Sequence, residues 1–127
     1  MAKILIVDDD HELIDATTAV LEDHGHKVVS ANCGTDGYNL AKVELPDLIL
    51  LDVMMEHDSA GFEIARAIHD NEVTKSIPVI ILTGVRKAKN LPFKFDPDED
   101  WLPVKAVLEK PVSPEMLLES VDRALKD

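Results

Sequence analysis

Residues 46–55 read PDLILLDVMM, and within that stretch Leu48, Ile49, Leu50 and Leu51 form a continuous aliphatic run of strand length. A strand that buries one face alternates apolar and polar residues, whereas a strand covered on both faces is apolar throughout. The run therefore predicts an interior strand with a layer on each side. It ends on an acid, Asp52, expected where the chain leaves the core. A carboxylate at that place needs a reason.

Similar runs recur outward from this one. KILIV (3–7), KVVSA (27–31), DLILL (47–51), IPVIIL (77–82) and AVLE (106–109) have strand character, being short and rich in Val, Ile and Leu. Between them, residues 11–25, 35–44 and 60–72 read as helices, as does 113–126 after the last strand. Gly25 can take the left-handed conformation that stops the first helix, and Ser113 before Pro114 supplies a cap and a pre-set first turn. Leu117, Leu118, Val121, Ala124 and Leu125 share one face of the last helix. Strand–helix alternation implies an α/β fold, a doubly wound five-stranded parallel sheet with helices on both faces. One segment departs from the pattern. After the fourth strand, Pro92, Pro97 and Pro103 break any long helix, so the fourth helix is expected to be shortened or replaced by an extended loop.

A chain of 127 residues fits one domain, 1–127, with no output domain expected after it. No apolar run approaches the roughly 20 residues of a spanning helix, and the start lacks the apolar core of a signal peptide. The single cysteine, Cys33, cannot form an internal disulfide. These features point to a cytoplasmic protein. The net charge of -12, from 25 acids against 13 Lys and Arg, argues against nucleic acid or an anionic membrane as partner.

In an open parallel sheet, ligands bind beyond the carboxyl ends of the strands. The first strand is followed by Asp8, Asp9 and Asp10, the third by Asp52, the fourth by Thr83 and Gly84, and the fifth by Lys110 and Pro111. In the strand order 2-1-3-4-5 the first and third strands are neighbours about 4.8 Å apart, which brings Asp8, Asp9 and Asp52 within reach of one another. Clustered carboxylates repel unless a cation sits among them, and an all-oxygen set suits a hard ion, Mg2+ or Mn2+. Lys110 adds a positive charge and Thr83 a hydrogen bond, the positioning that phosphoryl transfer requires. Asp52 can then serve as the nucleophile that carries the phosphoryl group.

ILIVDDD, PDLILLDVMM, IPVIILTG and LEKPVSPEMLL, in this order and over nearly the whole chain, resemble the four signatures of the receiver domain of bacterial two-component response regulators. The resemblance implies a flavodoxin-like sheet of order 2-1-3-4-5, with Asp52 as phosphoacceptor, Asp8 and Asp9 as metal-binding acids, the backbone carbonyl of Met54 as a further ligand, Thr83 as the switch hydroxyl and Lys110 as the lysine of the site. It also implies a histidine kinase or histidine phosphotransfer protein as donor, a downstream protein as docking partner, and a monomer or weak dimer that assists only its own phosphorylation and autodephosphorylation. Departures from the family pattern are as specific. The segment EHDSAG after Met55 lacks the usual proline, Val107 stands where an aromatic residue usually swings with the switch hydroxyl, and Gly84 replaces the commoner alanine. Readout is therefore expected through residues 85–105.

Other residues have plainer explanations. Asp10 reads as a helix cap, His24 and His26 as a surface turn, His57 as a loop residue and residues 96–100 as a solvated acidic loop. Phe93, Phe95 and Trp101 crowd the proline-rich segment either as a satellite core or as a partner surface. Two further functions compete with the leading one. A phosphorylation-independent interaction module is suggested by the altered segment after Met55 and by Val107. A haloacid-dehalogenase-like phosphatase shares the strand-end Asp, but Met54 occupies the place of its second acid.

Overall fold

The aliphatic run at 48–51 lies in the middle of the sheet, as its composition requires. In the computed structural model, which describes residues 2–52, 60–83, 106–109 and 112–126, the chain forms β1 (Lys3–Val7), α1 (His11–Asp23), β2 (Lys27–Ala31), α2 (Gly34–Glu44), β3 (Leu48–Asp52), α3 (Ala60–Asp70), β4 (Val79–Thr83), β5 (Ala106–Glu109) and a last helix, Pro114–Lys126. The strands are parallel in the order β2-β1-β3-β4-β5, matching the expected one. The segment where the fourth helix was expected to be lost lies outside the described residues.

Successive residues of β3 serve opposite cores. Leu48 and Leu50 join Ile14 and Leu21 of α1 and Leu117, Val121 and Ala124 of the last helix. Ile49 and Leu51 join Ala41 of α2 and Ala65 and Ile68 of α3 on the other face. All four β3 aliphatics are fully buried, and each such side chain contributes about 1.5–3 kcal/mol before entropy is set against it.

The helix ends follow local chemistry. The Asp10 carboxylate accepts hydrogen bonds from the Glu12 and Leu13 N–H groups at 3.0 and 3.3 Å, capping α1 as expected. Gly25, with φ 90°, ends that helix, where its N–H donates to the Glu22 carbonyl. Ser113 Oγ accepts from the Met116 N–H at 3.1 Å at the start of the last helix. α2 ends at Glu44 as expected, but its cap residue, Leu45, has φ 47°, a left-handed position that a branched apolar side chain rarely takes.

Several boundaries shift by one or two residues from their sequence-based positions. β3 begins one residue later and runs one residue further than expected, so that Asp52 is its last residue, buried at 2% exposure where the chain leaves the core. α3 stops at Asp70, and the chain turns through residues 71–77 around Thr74. Thr74 is completely buried, and its Oγ1 donates to the Ile68 carbonyl at 2.7 Å. β4 begins at Val79 because Pro78 has no N–H to give to the ladder, although the Pro78 carbonyl accepts from Ile49 N–H at 3.0 Å.

The amino end of the sheet carries a titratable contact. His26 Nδ1 accepts a hydrogen bond from the Ala2 N–H at 3.1 Å, which only the neutral ring can do. Burial holds the His26 pKa below its ordinary 6.5, with the N-terminal ammonium and His24 acting in the same direction and Asp122 opposing them. The unfolded chain then binds the proton more readily, so this contribution to stability is complete above 6.5 and is lost as the pH falls through the lowered folded value. Urea midpoints measured at about pH 7.5 and about pH 5.5 should fall further for the native chain than for His26→Asn, which keeps an acceptor that does not titrate. Equal losses in the two proteins would rule the contact out as a source of pH sensitivity.

Candidate functional site

The carboxyl edge of β1 and β3 is set by register. Ile4 pairs with Leu48 and Val7 with Leu51, so Asp8 and Asp52 come next on adjacent chains. Asp8 holds the strand course for one more residue, since its N–H donates to the Ala31 carbonyl at 3.0 Å. Its carboxylate is oriented from behind, with Oδ1 accepting from the Asp10 N–H at 2.9 Å. Asp8 is 1% exposed, while Asp9, one residue on, is open to solvent. Oxygens of Asp8, Asp9 and Asp52 lie within 4.8 Å of one another.

Asp10 does not join this group, because its carboxylate is committed to the first turn of α1. The helix cap thus separates the third acid of the DDD run from the first two. On the other side of β3, Asp52 pairs with Leu82, which puts the backbone of Thr83 one step further along β4 toward the same edge. Thr83 itself pairs with Glu109 at the end of β5, the residue that precedes Lys110 in the chain.

Three carboxylates so close, two of them buried, repel one another in a medium that screens poorly. The donor set is all oxygen and combines two buried acids with one exposed one. It fits a hard divalent ion that keeps part of its hydration shell, as Mg2+ does, better than a soft metal. The geometry therefore brings together the three acids picked out from the sequence and brings the Thr83 backbone to the same edge. The side chains of Thr83 and Val107 are not described. Lys110, Met54, His57, Phe93, Phe95 and Trp101, and with them residues 85–105, lie outside the described residues.

Two features of this neighbourhood were not anticipated. A Cβ added to Gly37 of α2 would fall 2.6 Å from Val7 Cγ2 and 2.8 Å from Val7 Cγ1, so α2 packs directly on the residue that precedes Asp8. A glycine inside a helical pattern was the available signal, since it weakens a helix unless close packing requires it. A cleft of about 590 Å³ between α1 and α2 was also unforeseen, and it does not include the acids.

Comparison with known proteins accounts for this architecture. The family model described as the response regulator receiver domain matches residues 4–122. Protein PilH of Pseudomonas aeruginosa is 38% identical over 128 aligned residues, spanning 98% of each chain. The DNA-binding dual master transcriptional regulator RpaA of Synechocystis is 34% identical across 99% of this chain, which spans only 50% of that longer protein. Among solved structures, a CheY-like response regulator receiver domain protein from Methanospirillum hungatei superposes with a TM-score of 0.80 at 28% identity, covering 99% of this chain and 94% of that one. With the sheet order, the acids at its carboxyl edge and a match over nearly the whole length in agreement, the chain belongs to the response regulator receiver domains, the phosphoacceptor signalling modules of two-component systems.

Proposed function

We propose that Asp52 accepts the phosphoryl group, from a histidine kinase or a histidine phosphotransfer protein, and that the chain then signals in the cytoplasm by docking to a downstream protein, as a monomer or weak dimer. The observation that supports this most is the convergence of Asp8, Asp9 and Asp52 to within 4.8 Å at the carboxyl edge of a parallel sheet. An Asp52 oxygen attacks phosphorus, the bond from phosphorus to the donor's imidazole nitrogen breaks with its electron pair left on that nitrogen, and an acyl phosphate forms. Asp8 and Asp9, with Asp52 and the Met54 carbonyl, are the residues that would hold Mg2+ or Mn2+. Such an ion supplies charge neutralisation for the phosphoryl oxygens. Lys110 adds a second positive charge, and the Thr83 hydroxyl donates a hydrogen bond to the phosphoryl group. Water later cleaves the acyl phosphate, so the chain's catalysis extends only to its own phosphorylation and autodephosphorylation.

Label transferred from a phosphorylated histidine kinase should be released by hydroxylamine, as an acyl phosphate is. A label that resists hydroxylamine would overturn the assignment of a carboxylate acceptor. With Val107 in the place of the family's aromatic, the conformational response runs through residues 85–105. Amide exchange in that segment should change on phosphorylation, and an unchanged pattern there would contradict this route.

No helix among the described residues is long and apolar enough to cross a membrane. The chain's charge of -12 also supports protein rather than nucleic acid or membrane as the docking partner.

A further inference from the structure

β2 is an outer strand, and among the described residues it pairs only with β1. The Lys27 N–H donates to the Ala2 carbonyl at 2.8 Å, and the Ala31 carbonyl accepts from Asp8 N–H at 3.0 Å. Along a parallel strand alternate residues turn their peptide groups to the same side. Residues 27, 29 and 31 thus face β1, and the N–H and C=O groups of Val28 and Ser30 face the open edge. Such an edge is a ready template for another strand.

The 590 Å³ cleft adjoins this edge at Ser30 and Asn32, with α1 on one side and α2 on the other. Its volume lies within the roughly 300–1,000 Å³ of ligand clefts. Because α1 and α2 pack on opposite faces of the sheet, an added strand would point alternate side chains toward each helix in turn. Each wall offers the same pair of features. From α1 come the edge of Ile14 and the exposed Asp15; from α2 come Leu40, Asp36 and Val43, the last 75% exposed. Among the described residues no Lys or Arg lines the cleft, whose basic member is His11. The α2 lysine, Lys42, is instead held 4.5 Å from the centroid of the Tyr38 ring.

We propose that this cleft docks an extended basic segment of a partner protein, which adds to the sheet as a strand beside β2. Its Lys or Arg side chains pair with Asp15 and Asp36, and its apolar groups cover Ile14, Leu40 and Val43. Backbone hydrogen bonds to Val28 and Ser30 provide sequence-independent affinity, while the two carboxylates select for positive charge. Pairing β2 with β2 of a second copy is disfavoured, because it would bring the Asp15 and Asp36 carboxylates of both copies into one groove. The proposal is independent of phosphorylation at Asp52.

The probe is a blocked hexapeptide of alternating Lys and Val, titrated into the ¹⁵N-labelled full chain. Amide shifts are expected at Val28, Ser30, Asn32 and Asp36, and the corresponding Glu–Val peptide should produce none. N-methylation of alternate peptide residues removes backbone donors without changing side chains, and should weaken binding, as should the double variant Asp15→Asn with Asp36→Asn, by about five- to tenfold each. Equal binding of the N-methylated peptide would overturn strand addition and leave only general attraction to an acidic chain. Shifts confined to other acidic surfaces, or self-association through β2 without peptide, would also overturn the proposal.

Discussion

Asp8→Asn and Asp9→Asn should each slow phosphoryl uptake by about 10²–10³-fold, the cost of removing one charge that a transition state depends on. Asn at position 8 keeps an Oδ1 to accept the Asp10 N–H, so the turn into α1 is preserved. Both substitutions relieve repulsion among carboxylates within 4.8 Å of one another. Neither should therefore lower the melting temperature in metal-free buffer by more than about a degree or two. The expected loss lies in the response to metal. At an ion concentration ten times Kd, Mg2+ should stabilise the native chain by about 1.4 kcal/mol, and each variant by much less. Melting curves with and without Mg2+, run beside uptake assays, check both halves. An undiminished Mg2+ response in the two variants would separate these acids from the metal.

Gly37→Val should destabilise the fold by about 3 kcal/mol or more, a large share of the roughly 5–15 kcal/mol available to a domain of this kind. The contact responsible is identifiable, since the new Cβ would stand 2.6 Å from Val7 Cγ2, and Val7 is itself 1% exposed within β1. Two rigid elements meet there, so the strain cannot be relieved by a flexible chain end. Shortening Val7 makes room. Gly37→Ala combined with Val7→Ala should be more stable than the sum of the single changes implies, by about 1–2 kcal/mol in a double-mutant cycle. Additive losses would mean that the helix tolerates the methyl group by moving off the strand. Val7 immediately precedes Asp8, so the same contact also positions the acidic edge.

How far the sequence carries depends on whether a feature is local. KILIV, KVVSA and AVLE became β1, β2 and β5 with the bounds expected of them, because aliphatic runs bounded by polar residues leave little freedom in register. The alternate burial of β3 was legible for the same reason. α2 stops at Glu44 as expected, but the left-handed Leu45 that follows it, at φ 47°, was not legible, since propensity points to Gly or Asn there. The Thr74 turn was missed because its stabilising bond, from Oγ1 to the Ile68 carbonyl, only exists once α3 has formed. The acidic trio was legible because strand order converts distant sequence positions into neighbours. Asp52 was misplaced by one step of β3, a distinction that the ladder to Leu82 makes and composition does not. The β2 cleft had no signal in the sequence, since it arises from where two helices flank an edge.

The central claim is that one carboxylate, Asp52, takes the phosphoryl group in a metal-dependent step. Intact mass after incubation with a small phosphoryl donor and Mg2+ tests it most directly. The native chain should gain the mass of one phosphoryl group, whereas Asp52→Asn and a chelated sample should gain none. No addition to the native chain, or equal addition to Asp52→Asn, would contradict the account.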